Sequence, residues 1–281
     1  MKNIYYWCPF IGNIATIKAV INSAYSLSKY SNNGFIPTII NSCGEWDRFN
    51  STLNDKKIIV KKFKNIFSIN TNTSGYFKSR ITYIKIFLSC FFTLKSTLKK
   101  DEPEYLIAHL ITSLPIFLYL IFNFKTKLVI RVSGKVKMNI LRKILWKLCK
   151  KNISLITCPT QATQNDIIKL NLVEKSKVIY LPDPIIEINE IFKQKNNNST
   201  NIKIKKNFFV MIGRYTKQKN HLLAIRCFKE LIKKNLDINL IIIGNGELKN
   251  EYLTEINYLN LENRIQLIDY QKNVSIYLSK S

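Results

Sequence analysis

Histidine is scarce in this chain of 281 residues, present only as His109 and His221. The six cysteines, Cys8, Cys43, Cys90, Cys149, Cys158 and Cys227, include no C-x-x-C pair, which excludes a zinc ribbon or a thioredoxin-type dithiol. Scattered through mostly apolar stretches, they read as reduced core residues and point to a cytoplasmic protein. Acidic residues are few, 18 against 44 Lys and Arg, for a formal net charge of +26. The acidic pair Glu45 and Asp47 is the wrong sequence for a D-x-D metal site, and no metal is assigned to it. "MKNIYYWCPF" has no apolar stretch of signal-peptide length and reads as an opening β-strand. No recognition-helix motif or aromatic RNA-binding signature accompanies the positive charge. Lys, Ile and Asn are abundant everywhere, so the charge is partly compositional and no nucleic-acid partner is expected. What is present is a real core, 46% hydrophobic and 12% aromatic, in a length that fits two domains.

The run Leu106–Phe122 is almost long enough to span a bilayer, but Pro115 divides it into a strand-like "YLIAHL" and a helix-like "PIFLYLI". Through the first half, apolar runs of strand length ("NIYYW", "TII", "IIV", "YLIAH", "KLVIRV", "LITC", "KVIYL") alternate with helical segments, the signature of a parallel, doubly wound α/β sheet. An asparagine-rich polar stretch follows "LPDP", and at residue 207 the alternation starts afresh. The reading is therefore α/β with two Rossmann-like domains: residues 1–182, a linker at 183–206, and a partial second domain at 207–281.

Candidate site residues gather where strands hand over to helices, the ligand-binding edge of parallel sheets. Arg214 follows strand Phe208–Ile212 and Gly213, and with Lys219 and the helix start near Asn220 it could clamp a diphosphate. On spacing alone a solvated basic loop fits as well. Gly244 and Gly246 in "IIIGNGEL" suit either close backbone approach by a ligand or a tight turn, and Gly12 in "CPFIGN" leaves the same two readings open. His109 closes "YLIAH" and suits a hydrogen-bond partner, a proton handler or a satisfied structural histidine. His221, at a helix start, reads as structural. In "ILRKILWKLCKK", Ile140, Ile144, Leu145 and Leu148 lie on one side of a helix with Arg142, Lys143, Lys147, Lys150 and Lys151 around the other. That pattern fits an anionic membrane surface or an ordinary outer helix.

"GRYTKQKN", the helix after it, and "INLIIIGNGELKNEYLTEINYLNLENRIQLIDY" together resemble the carboxy-terminal domain of retaining glycosyltransferases of family 4, which have the GT-B fold. Arg214, Lys219, Gly244, Gly246 and Arg264 fill that family's recurring places. The amino-terminal half is similar more loosely, through Gly12, "YLIAHLITSLP" and "ITCPTQAT" leading to "VIYLPDP", with Asp183-Pro184 where the family has Asn-Gly. The resemblance implies donor binding by Arg214 and Lys219, close approach at Gly12, Gly244 and Gly246, and a catalytic-site role for His109. It also implies transfer with retention from a nucleotide-sugar, which is a substrate, with no cofactor and no required divalent cation. The acceptor it implies is a polysaccharide or lipid-linked glycan such as lipopolysaccharide or capsule, handled in the cytoplasm with peripheral contact at an anionic inner membrane. The family's Glu-x7-Glu region is expected beyond Ser281, so the sequence also reads as a truncated form, and an inactive or partner-dependent remnant is the alternative.

Overall fold

The structure is a computed structural model that describes residues 1–10, 16–64, 76–134, 139–188, 207–271 and 273–281, with backbone only at 76–79. The chain divides into two compact units, Met1–Ile185 and Ile186–Ser281.

Seven strands build the first unit: β1 (Lys2–Trp7), β2 (Phe35–Asn41), β3 (Ile59–Lys62), β4 (Tyr105–Ala108), β5 (Lys127–Arg131), β6 (Ile153–Cys158) and β7 (Val178–Tyr180). They form one sheet in the order β3-β2-β1-β4-β5-β6-β7, and every pairing is parallel. Parallel neighbours require crossovers, which the helices supply. These are α1 (Thr16–Tyr30), α2 (Asn50–Asp55), α3 (Tyr76–Asp101), α4 (Ser113–Ile121), α5 (Ile140–Leu148) and α6 (Gln161–Lys169).

Because successive strand residues point to opposite faces, β1 feeds two cores. Tyr5 and Trp7 pack with Leu94, Ile116, Trp146 and Ile167 of the α3–α6 layer. Ile4 and Tyr6 pack with Val20, Ala24, Trp46 and Leu53 on the other face. The segment Leu106–Phe122 is thus a strand plus α4, with Leu106, Ala108, Leu114, Ile116 and Leu118 buried. Among the described residues, the helix long and apolar enough to cross a membrane is instead Arg80–Asp101. Its residues Ile86, Cys90, Leu94 and Leu98, one helical stripe, are locked into the first core.

The second unit has a parallel sheet ordered β10-β9-β8, from β8 (Phe208–Ile212), β9 (Asn239–Ile243) and β10 (Ile265–Ile268). Helices α7 (His221–Lys233) and α8 (Lys249–Tyr258) cover one face, and α9 (Ser275–Leu278) lies on the other. Strand β9 alternates between them: Leu240 and Ile242 face Phe228 and Ile256, while Ile241 and Ile243 face Tyr277. Arg264, one of the positions shared with the glycosyltransferase pattern, bonds Asp237 through Nη1 at 2.5 Å at the amino-terminal edge. The linker expected at 183–206 lies outside the described residues from 189 onward.

Both units therefore rest on aliphatic and aromatic packing between sheet and helices. Leu94→Ala, which empties a fully buried position, is expected to lower the unfolding free energy by about 3 kcal/mol. Urea denaturation followed by circular dichroism checks this.

Candidate functional site

The carboxyl ends of β8 and β9 are tied together by one short stretch of backbone. Gly213 N–H donates to Ile243 O at 2.9 Å, Tyr215 N–H to Asn245 O at 2.9 Å, and Leu248 N–H to Tyr215 O at 3.2 Å. The loops after β8 and β9 therefore run against each other. A Cβ at position 244 would stand 1.9 Å from Gly213 O, and one at 246 would stand 2.5 Å from Tyr215 O. Both glycines are needed for protein-to-protein approach, which explains the "GNG" spacing without a ligand touching it.

Tyr215 is fully buried, its hydroxyl 3.0 Å from Ile242 O and 2.9 Å from Ile268 O. It meets His221 and Tyr252 edge-on at ring-centroid distances of 5.6 and 5.3 Å. His221 is buried and donates from Nε2 to Arg214 O at 3.2 Å. Burial holds this imidazole below its ordinary pKa, so it is a neutral strut, consistent with a structural reading.

Against this fixed floor, Arg214 and Lys219 are exposed. The lysine's aliphatic stem lies over Gly213, where an added Cβ would be 3.3 Å from Lys219 Cγ and Cδ. A 3-10 turn, Lys217–Lys219, carries the second cation and leads to Asn220 in the left-handed conformation (φ 52°), which opens α7 without a side-chain cap. The arrangement offers a planar guanidinium, an ammonium and uncapped helix amides on one edge, a set suited to phosphate oxygens.

In the first unit His109 directly follows β4, and its N–H donates to Trp7 O at 2.9 Å. The side chain is buried, with Nδ1 unpartnered among the described residues. Burial, aided by the nearby positive charge of Arg131, lowers its pKa to about 3. It is neutral at physiological pH, which favours a hydrogen-bonding role over proton donation.

Arg131, the last residue of β5, and His109 each lie one residue beyond the Ala108–Ile130 pair that ends the β4–β5 ladder. It is buried at 5% exposure, its Nε donates to Asp183 Oδ1 at 3.0 Å, Nη2 contacts the same oxygen, and Nη1 reaches Leu181 O at 2.6 Å. Sequence reading passed over Arg131, although one charge ending the apolar run "KLVIRV" at a carboxyl edge is the signal used for Arg214. At the neighbouring edge Glu45 is buried and accepts from Ser42 N at 3.1 Å, Ser42 Oγ at 2.7 Å and Cys43 N at 2.6 Å. Burial raises its pKa against the pull of those donors. Gly12 lies outside the described residues.

Residues 192–281 match the family model described as glycosyl transferases group 1. Over 73 residues, 26% of the chain and 18% of the relative, the sequence is 45% identical to an uncharacterized glycosyltransferase of Methanocaldococcus jannaschii. Over 79 residues, 28% of the chain and 21% of the relative, it is 39% identical to a Campylobacter jejuni protein. That relative is an N-acetylgalactosamine-N,N'-diacetylbacillosaminyl-diphospho-undecaprenol 4-alpha-N-acetylgalactosaminyltransferase. The alignments thus span about a fifth of these curated relatives. Among solved structures, Anabaena HepE in complex with UDP is similar over 100% of the chain and 72% of its own, with a TM-score of 0.64 at 13% identity. The fold is α/β with Rossmann-like features, and its structural neighbours include GT-B glycosyltransferases and a UDP-GlcNAc 2-epimerase of Neisseria meningitidis.

Two outcomes follow from the electrostatics. Asp183→Ala strands a buried guanidinium and is expected to cost about 3 kcal/mol of stability in chemical denaturation, with Arg131→Met/Asp183→Leu recovering part of it. Because His109 has a folded-state pKa below its unfolded value of 6.5, the unfolded chain binds more protons in that window. The histidine's contribution to stability should therefore fall as pH drops below about 6.5. His109→Gln should narrow the stability difference between about pH 7 and about pH 4.5 in paired urea melts.

Proposed function

We propose that this protein is a retaining glycosyltransferase that moves a sugar from a nucleotide-sugar to a polysaccharide or lipid-linked glycan. The observation that carries the reading is the exposed pair Arg214 and Lys219, set on a rigid floor beside the uncapped start of α7, within the segment that matches glycosyl transferases group 1. The names of both curated relatives support transferase activity. The UDP held by the structural neighbour supports testing a uridine nucleotide first. The undecaprenol-linked substrate named for the Campylobacter relative supports a lipid-linked acceptor.

In this mechanism the Arg214 guanidinium grips two diphosphate oxygens and the Lys219 ammonium adds a point charge. Negative charge that builds on the departing nucleotide is thereby neutralised by side chains, and a divalent cation is dispensable. His109, neutral at working pH, serves the reacting sugar as a hydrogen-bond partner. The workplace is cytoplasmic, with the acceptor reached at the inner membrane surface.

Calorimetric titration with UDP provides the test. Arg214→Ala and Lys219→Ala are each expected to weaken binding by about 1 to 3 kcal/mol, as loss of a charge-assisted hydrogen bond does. Affinity unchanged in both variants would sink the clamp, and transfer that stops in EDTA would remove the metal-independent part.

A further inference from the structure

Helix α3 is apolar on two sides. The inner stripe, Ile86, Cys90, Leu94 and Leu98, is buried in the first core, while the outer one, Ile81, Ile84, Leu88 and Phe92, is 55, 60, 62 and 74% exposed. Helix α5 repeats the arrangement: Trp146 is buried, and Ile140, Leu141, Ile144 and Leu148 are 76, 76, 50 and 61% exposed. Helix α4 packs against both and adds Leu120 and Ile121 to the outer surface. Large apolar side chains clustered in one layer are not ordinary surface scatter and mark an interaction face.

The charges in the same layer are of one sign. Residues 80–100 carry Arg80, Lys85, Lys95, Lys99 and Lys100, and residues 139–151 carry Arg142, Lys143, Lys147, Lys150 and Lys151. Neither segment has an acidic residue. Lys85, Lys143, Lys147, Lys150 and Lys151 are exposed beside the apolar stripes.

We propose that the outer face of the α3–α4–α5 layer docks on an anionic lipid surface, the apolar stripes entering the headgroup boundary and the lysines meeting lipid phosphates. This deepens the proposed function, on which it rests for its biological purpose, by naming the surface that meets the bilayer. The inner stripe of α3 is committed to the core, so the helix lies on the membrane and does not cross it. A second copy of the chain is the poorer occupant, since two such faces would bring lysines against lysines. An anionic bilayer complements the apolar and the basic parts at once.

The test is flotation of the full chain with vesicles of phosphatidylcholine alone or mixed with phosphatidylglycerol, at low and high salt. Binding to the anionic vesicles is expected, reduced at least about tenfold by Lys143→Glu/Lys147→Glu. Leu141→Ser/Ile144→Ser should remove the part that survives high salt. Lys233→Glu/Lys234→Glu, the same charge change at the end of α7, should leave binding unchanged. Thermal melts of each variant separate lost binding from lost folding, because all four substituted positions on α5 are exposed. No flotation with anionic vesicles, or equal loss in the α7 variant, overturns the proposal. So does a lipid-free dimer abolished by Leu141→Ser/Ile144→Ser while flotation persists. The vesicles contain neither nucleotide nor glycan, so failure here leaves UDP affinity at Arg214 untouched, and failure of UDP binding leaves flotation untouched.

Discussion

The carboxyl edge of the second unit hangs on Tyr215. One side chain reaches the last turns of two strands through its hydroxyl, its backbone pairs with both Asn245 and Leu248, and its ring closes a buried triangle with His221 and Tyr252. Everything proposed for Arg214 depends on this, because Arg214 is the residue before Tyr215 and its carbonyl is held by His221. A long basic side chain on a free loop loses rotamer and backbone entropy on gripping an anion. On a loop already fixed at both neighbours, the backbone share of that cost is met in folding. The same constraint dictates glycine at 244 and 246, since the Gly213–Tyr215 backbone occupies the space a side chain would need.

The first unit solves a related problem with charge. Arg131 is taken almost wholly out of water at the end of β5, which is tolerable only because Asp183 and the Leu181 carbonyl receive its donors. The consequence is structural as well as electrostatic. The residues after β7 are pulled back onto the sheet edge, and Asn22 of α1 holds the next one through Pro184 O at 2.8 Å. The retained positive charge then bears on His109 one strand away and helps keep that imidazole neutral. Asp183-Pro184, where the similar family has Asn-Gly, is in this chain the anchor of the unit's last segment.

Apolar runs of strand length and helical patterning made the sheet legible, because strands buried on both faces read as short apolar runs bounded by polar turns. All seven runs read from the first half became strands of one parallel sheet, and Phe208–Ile212 has the bounds read from sequence. Arg214 and Lys219 could be found because a charge just past a strand is visible without knowing the partners. Tyr215 could not: an aromatic inside "GRYTKQ" looks like any loop residue until the crossing of two loops supplies its carbonyls. Arg131 and Asp183 lie 52 residues apart, so only the sheet order brings them together. Nor could the spacing of Gly244 and Gly246 tell whether the missing side chains make room for a ligand or for the chain itself.

The exposed apolar layer and the candidate edge of the first unit are linked by the direction of the chain. In a parallel sheet each crossover helix begins at the carboxyl edge, so α5 starts near the end of β5, and Arg142 in its first turn reaches Thr112 Oγ1 at 3.5 Å, three residues beyond His109. Ile140, Leu141 and Ile144 are therefore at the end of the layer closest to His109 and Arg131, whereas Lys150 and Lys151 lie toward the opposite edge. A bilayer against this layer would meet its apolar contacts beside the carboxyl edge and its outermost lysines farther away. The edge would then open sideways at headgroup height, where a sugar on a lipid diphosphate is carried, so a surface costly to expose in water lies next to the chemistry that would use it.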